Sequence, residues 1–100
     1  MTILRNEGAK HLRVKYFGDI RPLAGIKEEE WPHLHPDLRS LLNTLGQRHA
    51  ALRNRLFEGD QLSSTIIILV NGRSVDFLKG IETPLQPDDI VDVFPVEGGG

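Results

Sequence analysis

The chain carries four imidazoles, at His11, His33, His35 and His49, and the spacing His33-x-His35 puts two rings on one side of an extended segment. Two rings are at best half of a metal site. Zinc and its relatives take three or four ligands, the sequence has no Cys, and no further ligands are evident. The histidines read as surface or supporting residues near a helix entrance, and no metal is expected. Glu28-Glu29-Glu30 is the densest carboxylate run. General acid and base work needs two carboxylates held across a substrate in unlike surroundings, whereas neighbours in sequence merely raise local negative charge. The run therefore reads as solvated surface, and Asp88-Asp89 reads likewise in a turn. Ser40, Ser63, Ser64 and Ser74 lack an elbow or triad context. No autonomous active site is expected.

One group of unusual chemistry remains, at the end of "FPVEGGG". Gly98, Gly99 and Gly100 form no phosphate loop, because no helix and no Lys-Ser/Thr pair follows them. The carboxylate of Gly100 has a reference pKa near about 3.5, so it is anionic at neutral pH and resists nucleophiles. Conversion to an acyl-adenylate would make its carbonyl attackable, and that chemistry needs a partner with positioned charge and a sequestered site. Glycines make a slender arm: Val96 to Gly100 spans roughly 16 Å when extended. Ordering it costs about 1 to 2 kcal/mol per residue, which a partner must offset through main-chain hydrogen bonds, burial of Val96 or charge contacts. A frayed end and a remnant of an engineered linker are the competing readings.

The elements that must position this arm follow from patterning. One hundred residues fit one compact domain, and 39% hydrophobic with 26% charged residues is the balance of a folded globular chain. A formal charge of -2 provides no basic field for a phosphate backbone, so no nucleic-acid partner is expected. Asp88, Asp89, Asp92 and Glu97 leave room for a partner with a basic groove, with a solvated edge as the plainer reading. The N-terminus has no apolar run of signal length, and Ile66 to Val70 is too short to span a bilayer. The expectation is a cytoplasmic protein without membrane contact.

Leu12, Val14 and Tyr16 alternate with His11, Arg13 and Lys15, predicting a first strand that Phe17 interrupts before a turn at Gly18-Asp19. A second strand, pairing with the first as a hairpin, is placed near 27–33, and Pro32 makes it short or an edge strand. Leu38, Leu41, Leu42 and Leu45 form one helical stripe with Asp37 as N-cap, predicting a helix over 38–49 and a shorter one over 50–57. Ile66 to Val70 reads as a buried strand with neighbours on both edges, followed by a hairpin turn at Asn71-Gly72 and a brief return over 73–75. Phe77 and Leu78 are expected to plug a turn-rich connection, Leu85 to anchor it, and Ile90 to Phe94 to form the last strand. The fold class is α+β: a mixed sheet of four to five strands covering one main amphipathic helix plus a short second helix. Residues 1–9 read as an extension or early strand, 10–95 as the body and 96–100 as a flexible tail.

Five pieces together resemble the β-grasp, ubiquitin-like sulfur-carrier family, most of all the small subunit of molybdopterin synthase. They are "LRVKYFGDIRPLAG" at 12–25, the leucine stripe at 38–45, "ILVNGRSV" at 68–75, "TPLQPDDIVDVFPVEGG" at 83–99 and the glycine terminus. The resemblance implies a protein substrate rather than an enzyme. An E1-like adenylating enzyme would use ATP on the terminal glycine, and a sulfur-donor protein would convert it to a thiocarboxylate. A molybdopterin synthase large subunit would then take the tail into its own active site. Thiazole formation, cysteine synthesis, transfer-RNA thiolation, attachment to protein lysines and noncovalent adaptor roles are the alternatives on the same fold. Carried to this chain, Gly100 holds the sulfur and Gly99 is its slender neighbour. Ile90, Phe94, Pro95, Val96, Glu97 and Gly98 are the candidate partner-binding residues, with a place in the core as the other reading of Phe94. No cofactor or metal is bound by the chain itself. The molybdopterin carriers end in "FPPVAGG" where this chain has "FPVEGGG", so either Gly100 or Gly99 is the working terminus.

Overall fold

The computed structural model describes residues 11–32 and 35–96. Strand β1, His11–Tyr16, buries Leu12, Val14 and Tyr16 and turns its odd-numbered residues to the other side, as its alternation requires. A turn at Gly18 leads into a short helix α1, Ile20–Ala24, which ends at Gly25 in the left-handed region. This helix corrects the expectation of a simple turn. Its signal is a single buried face, Ile20 and Ala24, too brief to show periodicity. Strand β2, Glu28–Pro32, then returns antiparallel to β1 and forms one edge of the sheet, where the missing N–H of Pro32 costs no ladder bond.

Helix α2, Leu38–Arg48, is capped by Asp37, whose carboxylate accepts from the Ser40 N–H at 2.9 Å. Its stripe of Leu38, Leu41, Leu42 and Leu45 is wholly buried. Gly46 does not shorten the helix: it is buried, and a Cβ there would stand 3.3 Å from the Arg53 side chain, so the bare backbone admits the next helix. That helix, α3, covers Ala50–Leu56 and adds Leu52 and Leu56 to the same core. A small hairpin of β3, Phe57–Glu58, and β4, Gln61–Leu62, follows, and sequence reading had no strand there because each arm is two residues long.

Strand β5, Ile66–Val70, pairs on one side with β6, Arg73–Ser74, through the Asn71-Gly72 turn, in which both residues have positive φ. On its other side lies the final strand β7, Ile90–Pro95. β7 is antiparallel to β5 and parallel to β1, so the sheet order is β2-β1-β7-β5-β6, with the last strand at the centre. Neighbours on both edges of β5 match expectation. The strand is buried on one face only: Ile66, Ile68 and Val70 face the helices, while Ile67 and Leu69 lie on the uncovered side. The result is the β-grasp arrangement, a five-stranded mixed sheet with its helices packed on one face.

The link from β6 to β7 contains two 3-10 turns, Val75–Phe77 and Gly80–Glu82. Val75, Ile81 and Leu85 are its buried anchors. Phe77 was expected to plug this connection and instead stands 83% exposed, with Leu78 also on the surface. The reason is register: Val75 takes the inward position of the turn, and the residues after it point outward. Asp89 is occupied structurally, since its carboxylate accepts from the Gln86 N–H and the Asn71 side-chain amide at 2.8 and 2.9 Å. The early-strand reading of residues 1–9 lies outside the described residues.

Candidate docking face and C-terminal exit

The uncovered face of the sheet is built by the out-pointing half of each alternation. Register aligns it in rows: Arg13 beside Ile90, then Lys15, Asp92 and Leu69 across three strands, then Phe94 beside Ile67. Phe17 completes the last row from the end of β1, its ring stacked on Phe94 at 4.2 Å and 9°. It continues the alternation it had been read as interrupting. The Arg21 guanidinium lies 5.7 Å from the Phe17 ring centre, and its Nε donates to the Tyr16 carbonyl at 2.8 Å. Phe17, Ile67, Leu69, Phe94, Pro95 and Val96 thus line an open apolar groove of about 580 Å³ where the chain leaves the sheet.

The exit itself is tightly held. Gly18 sits at φ +58°, and a Cβ there would meet the Pro95 Cγ at 2.8 Å, so glycine is required both for the turn and for the close approach of the two segments. The Val96 N–H donates to the Thr65 carbonyl at 2.9 Å, extending the pairing with the β5 side one residue past the strand. Thr65 is fixed in turn: its hydroxyl lies 2.8 Å from Ser63 Oγ and accepts from Arg55 Nε at 3.2 Å, and Arg55 Nη1 pairs with Asp19 at 3.1 Å. Val96 is thus held by its backbone while its side chain stands 42% exposed.

Among the candidate residues, Phe94, Pro95 and Val96 come together at this exit. Ile90 lies at the far end of the same strand, separated from Phe94 by Asp92, and its backbone bonds Asn71 through both N–H and carbonyl. Phe94 joins the uncovered face rather than the buried cluster. Glu97, Gly98, Gly99 and Gly100 lie outside the described residues. Sequence reading missed Phe17, Gly18, Ile67 and Leu69. A strict period-two reading of Phe17 and of "IIILV" would have put three of them on one face.

Asp92 occupies the middle of this face with its Oδ1 buried and without a hydrogen-bond partner. Burial holds its carboxyl above the usual aspartate range, partly opposed by Lys15. Under the sheet, Glu29 overturns its solvated reading: its side chain is 9% exposed and accepts from the Tyr16 hydroxyl at 2.6 Å, with His49 Nε2 at 2.7 Å and Arg48 Nε at 3.5 Å. His35 is likewise buried, with Nδ1 3.2 Å from Ser40 Oγ, while His33 lies outside the described residues. No cluster of three metal-ligating side chains occurs among the described residues. No helix among them is long and apolar enough to cross a membrane.

The sequence profile of the ThiS family matches residues 14–100. The chain belongs to that family. Small archaeal modifier protein 3 of Haloferax volcanii is 32% identical over 91 residues, covering 89% of this chain and 98% of that protein. The solution structure of small archaeal modifier protein 1 from Methanosarcina acetivorans superposes with a TM-score of 0.80 at 30% identity, covering 92% of this chain and 98% of the other. A Pyrococcus furiosus structure bearing the name molybdopterin converting factor, subunit 1, gives 0.69 at 31%, covering 87% and 98%. This ThiS-family chain is therefore a β-grasp, ubiquitin-like member of the sulfur-carrier superfamily. Its likeness spreads over several branches and does not single out the small subunit of molybdopterin synthase.

Proposed function

We propose that the chain is a carrier whose C-terminal carboxylate attacks the α-phosphorus of ATP within an E1-like partner, expelling pyrophosphate; the outer sulfur of a donor protein's persulfide then displaces AMP, and a thiol cleaves the resulting acyl disulfide to leave a thiocarboxylate and a disulfide. The observation that carries this reading is at Pro95 and Val96: the last described residues continue a central strand that is paired on both sides, and they line an open apolar face. A carrier needs both features, because the partner must hold the body while reaching only the tail. In this reading Phe17, Ile67, Phe94 and Val96 dock the partner, and Gly98 to Gly100 thread its active site. The carrier works in the cytoplasm beside its activating enzyme.

The modifier names of two relatives support first the attack on the activated carbonyl by a lysine amine to form an amide; sulfur delivery to acceptors such as transfer RNA is open to the same activated terminus. Sulfur transfer to a pterin precursor is the second reading, supported by the Pyrococcus relative and by the motif at 83–99. Incubation with an E1-like enzyme, ATP and a sulfur-donor protein tests the common step. An oxygen-to-sulfur mass gain confined to the C-terminal peptide is expected, and it disappears when Gly99-Gly100 is deleted. An unchanged terminus in an otherwise active assay overturns the proposal. Gly-Lys branched peptides in native cells select the modifier role, and copurification with a pterin-synthase large subunit selects the second.

A further inference from the structure

At the end of β5 farthest from Pro95, a second groove of about 570 Å³ runs from Val70 and Asn71 to Leu78 and Pro84, with Arg73 and Lys79 among its lining residues. Its base is rigid. The Thr83 hydroxyl donates to the Gly80 carbonyl at 2.7 Å and accepts from the Lys79 N–H at 3.1 Å, while the Leu78 N–H donates to the Val75 carbonyl at 2.9 Å. Beside it Phe77 is the most exposed large apolar side chain among the described residues. Phe77 and the exposed Leu78 stand side by side in the chain, so the turn presents two apolar side chains next to the groove.

Charge says what the contact is. Neither Arg73 nor Lys79 makes an ion pair among the described residues. The neighbouring Glu82 is bound to Arg39 at 2.7 Å, and Asp89 is held by Asn71 and Gln86; Asp76 lies outside the lining. A positive spot with an apolar floor therefore stands on a chain of net charge -2. Two cations are too few for an anionic membrane or a phosphodiester backbone, whose binding grows with the number of charges engaged. They suit a short peptide with carboxylates on either side of an apolar residue. Among the described residues no strand pairs with the outer edge of the two-residue β6, so the backbone of such a peptide has a short edge to join.

We propose that this groove docks an extended acidic segment of a partner protein, with one aliphatic or aromatic side chain packing against Leu78 and the neighbouring Phe77 and flanking carboxylates pairing with Arg73 and Lys79. The site is independent of the tail chemistry and lets the carrier be held while its terminus is in use elsewhere.

Selection of a random heptapeptide display library on the full chain tests this. Enriched peptides should carry two or more carboxylates around an apolar residue, and titrating one of them should shift the NMR amide signals of Val70, Arg73, Leu78 and Lys79. Affinity should fall about tenfold or more in Phe77→Ser and in the pair Arg73→Glu and Lys79→Glu, and persist in Phe94→Ala. Circular dichroism checks that each variant is folded, and Phe77→Ser, at an exposed site, keeps the test readable if the double variant is not. The proposal is overturned by no enrichment, by neutral or basic winners, by shifts mapping to Phe17 and Phe94, or by self-association or anionic vesicles occupying the groove instead.

Discussion

Phe17 and Phe94 stack across the seam where β1 runs parallel to β7, so the first and last strands of the sheet meet at the point where the chain departs. The contact ties the docking face to the exit. Phe94→Ala should cost about 1 to 2 kcal/mol in urea unfolding, because the ring is only part-buried. Activation by an E1-like enzyme should fall at least about tenfold in kcat/KM. Equal activation of the two proteins would remove this face from the proposed mechanism.

Gly18 and Gly25 offer a paired comparison, since both have positive φ but only Gly18 has Pro95 against its missing side chain. Gly25→Ala should cost about 1 to 2 kcal/mol for the backbone conformation. Gly18→Ala should cost more, about 2 to 4 kcal/mol, through the added contact at Pro95. Thermal unfolding of both variants measures the difference, and equal losses would show that Pro95 yields without strain.

Tyr16 carries a pH dependence of definite sign. Burial first, and then the hydrogen bond and charge of Glu29, push its phenol well above its ordinary pKa of 10.0. The folded state thus keeps a proton that the unfolded chain gives up. Its contribution is complete below about pH 10 and is lost as pH rises above that toward the folded-state value. Tyr16→Phe should cost about 2 kcal/mol at pH 7 by removing a donor from buried Glu29. It should also flatten the fall in stability above pH 10. An unaltered alkaline profile would mean that other groups control it.

Asp92 carries a dependence of the same sign in a lower pH window. Its raised pKa means that its favourable contribution is present below its ordinary value of 3.8 and lost as pH rises through the higher folded-state value. At pH 7 the ionised carboxylate is a burden on the free protein. Asp92→Asn is therefore expected to be the more stable protein at pH 7 and close to the parent at pH 3, as read from chemical denaturation. A variant less stable at pH 7 would show that Lys15 satisfies the carboxylate.

Long, strongly patterned elements were legible in the residues. The α2 stripe, its Asp37 cap, the Asn71-Gly72 turn and β7 lie where periodicity and turn chemistry put them, because each is specified locally. What escaped depends on partners distant in sequence. Glu29 looks solvated until β2 pairs with β1 and the end of α2 reaches it, which bring Tyr16 and His49 to its carboxylate. Phe17 looks like a break until Phe94 arrives beside it, 77 positions later. Phe77 fails for a different reason: apolar character suggests burial, but the turn offered Val75 the inward place.

The central position of β7 has a mechanical corollary. A machine that seized the chain beyond Val96 and hauled on it would load the ladders to β1 and β5 along their length. Their bonds would have to rupture together in shear, not peel apart one by one. Traction at that end therefore engages two ladders at once, where a chain ending on an edge strand would engage only one.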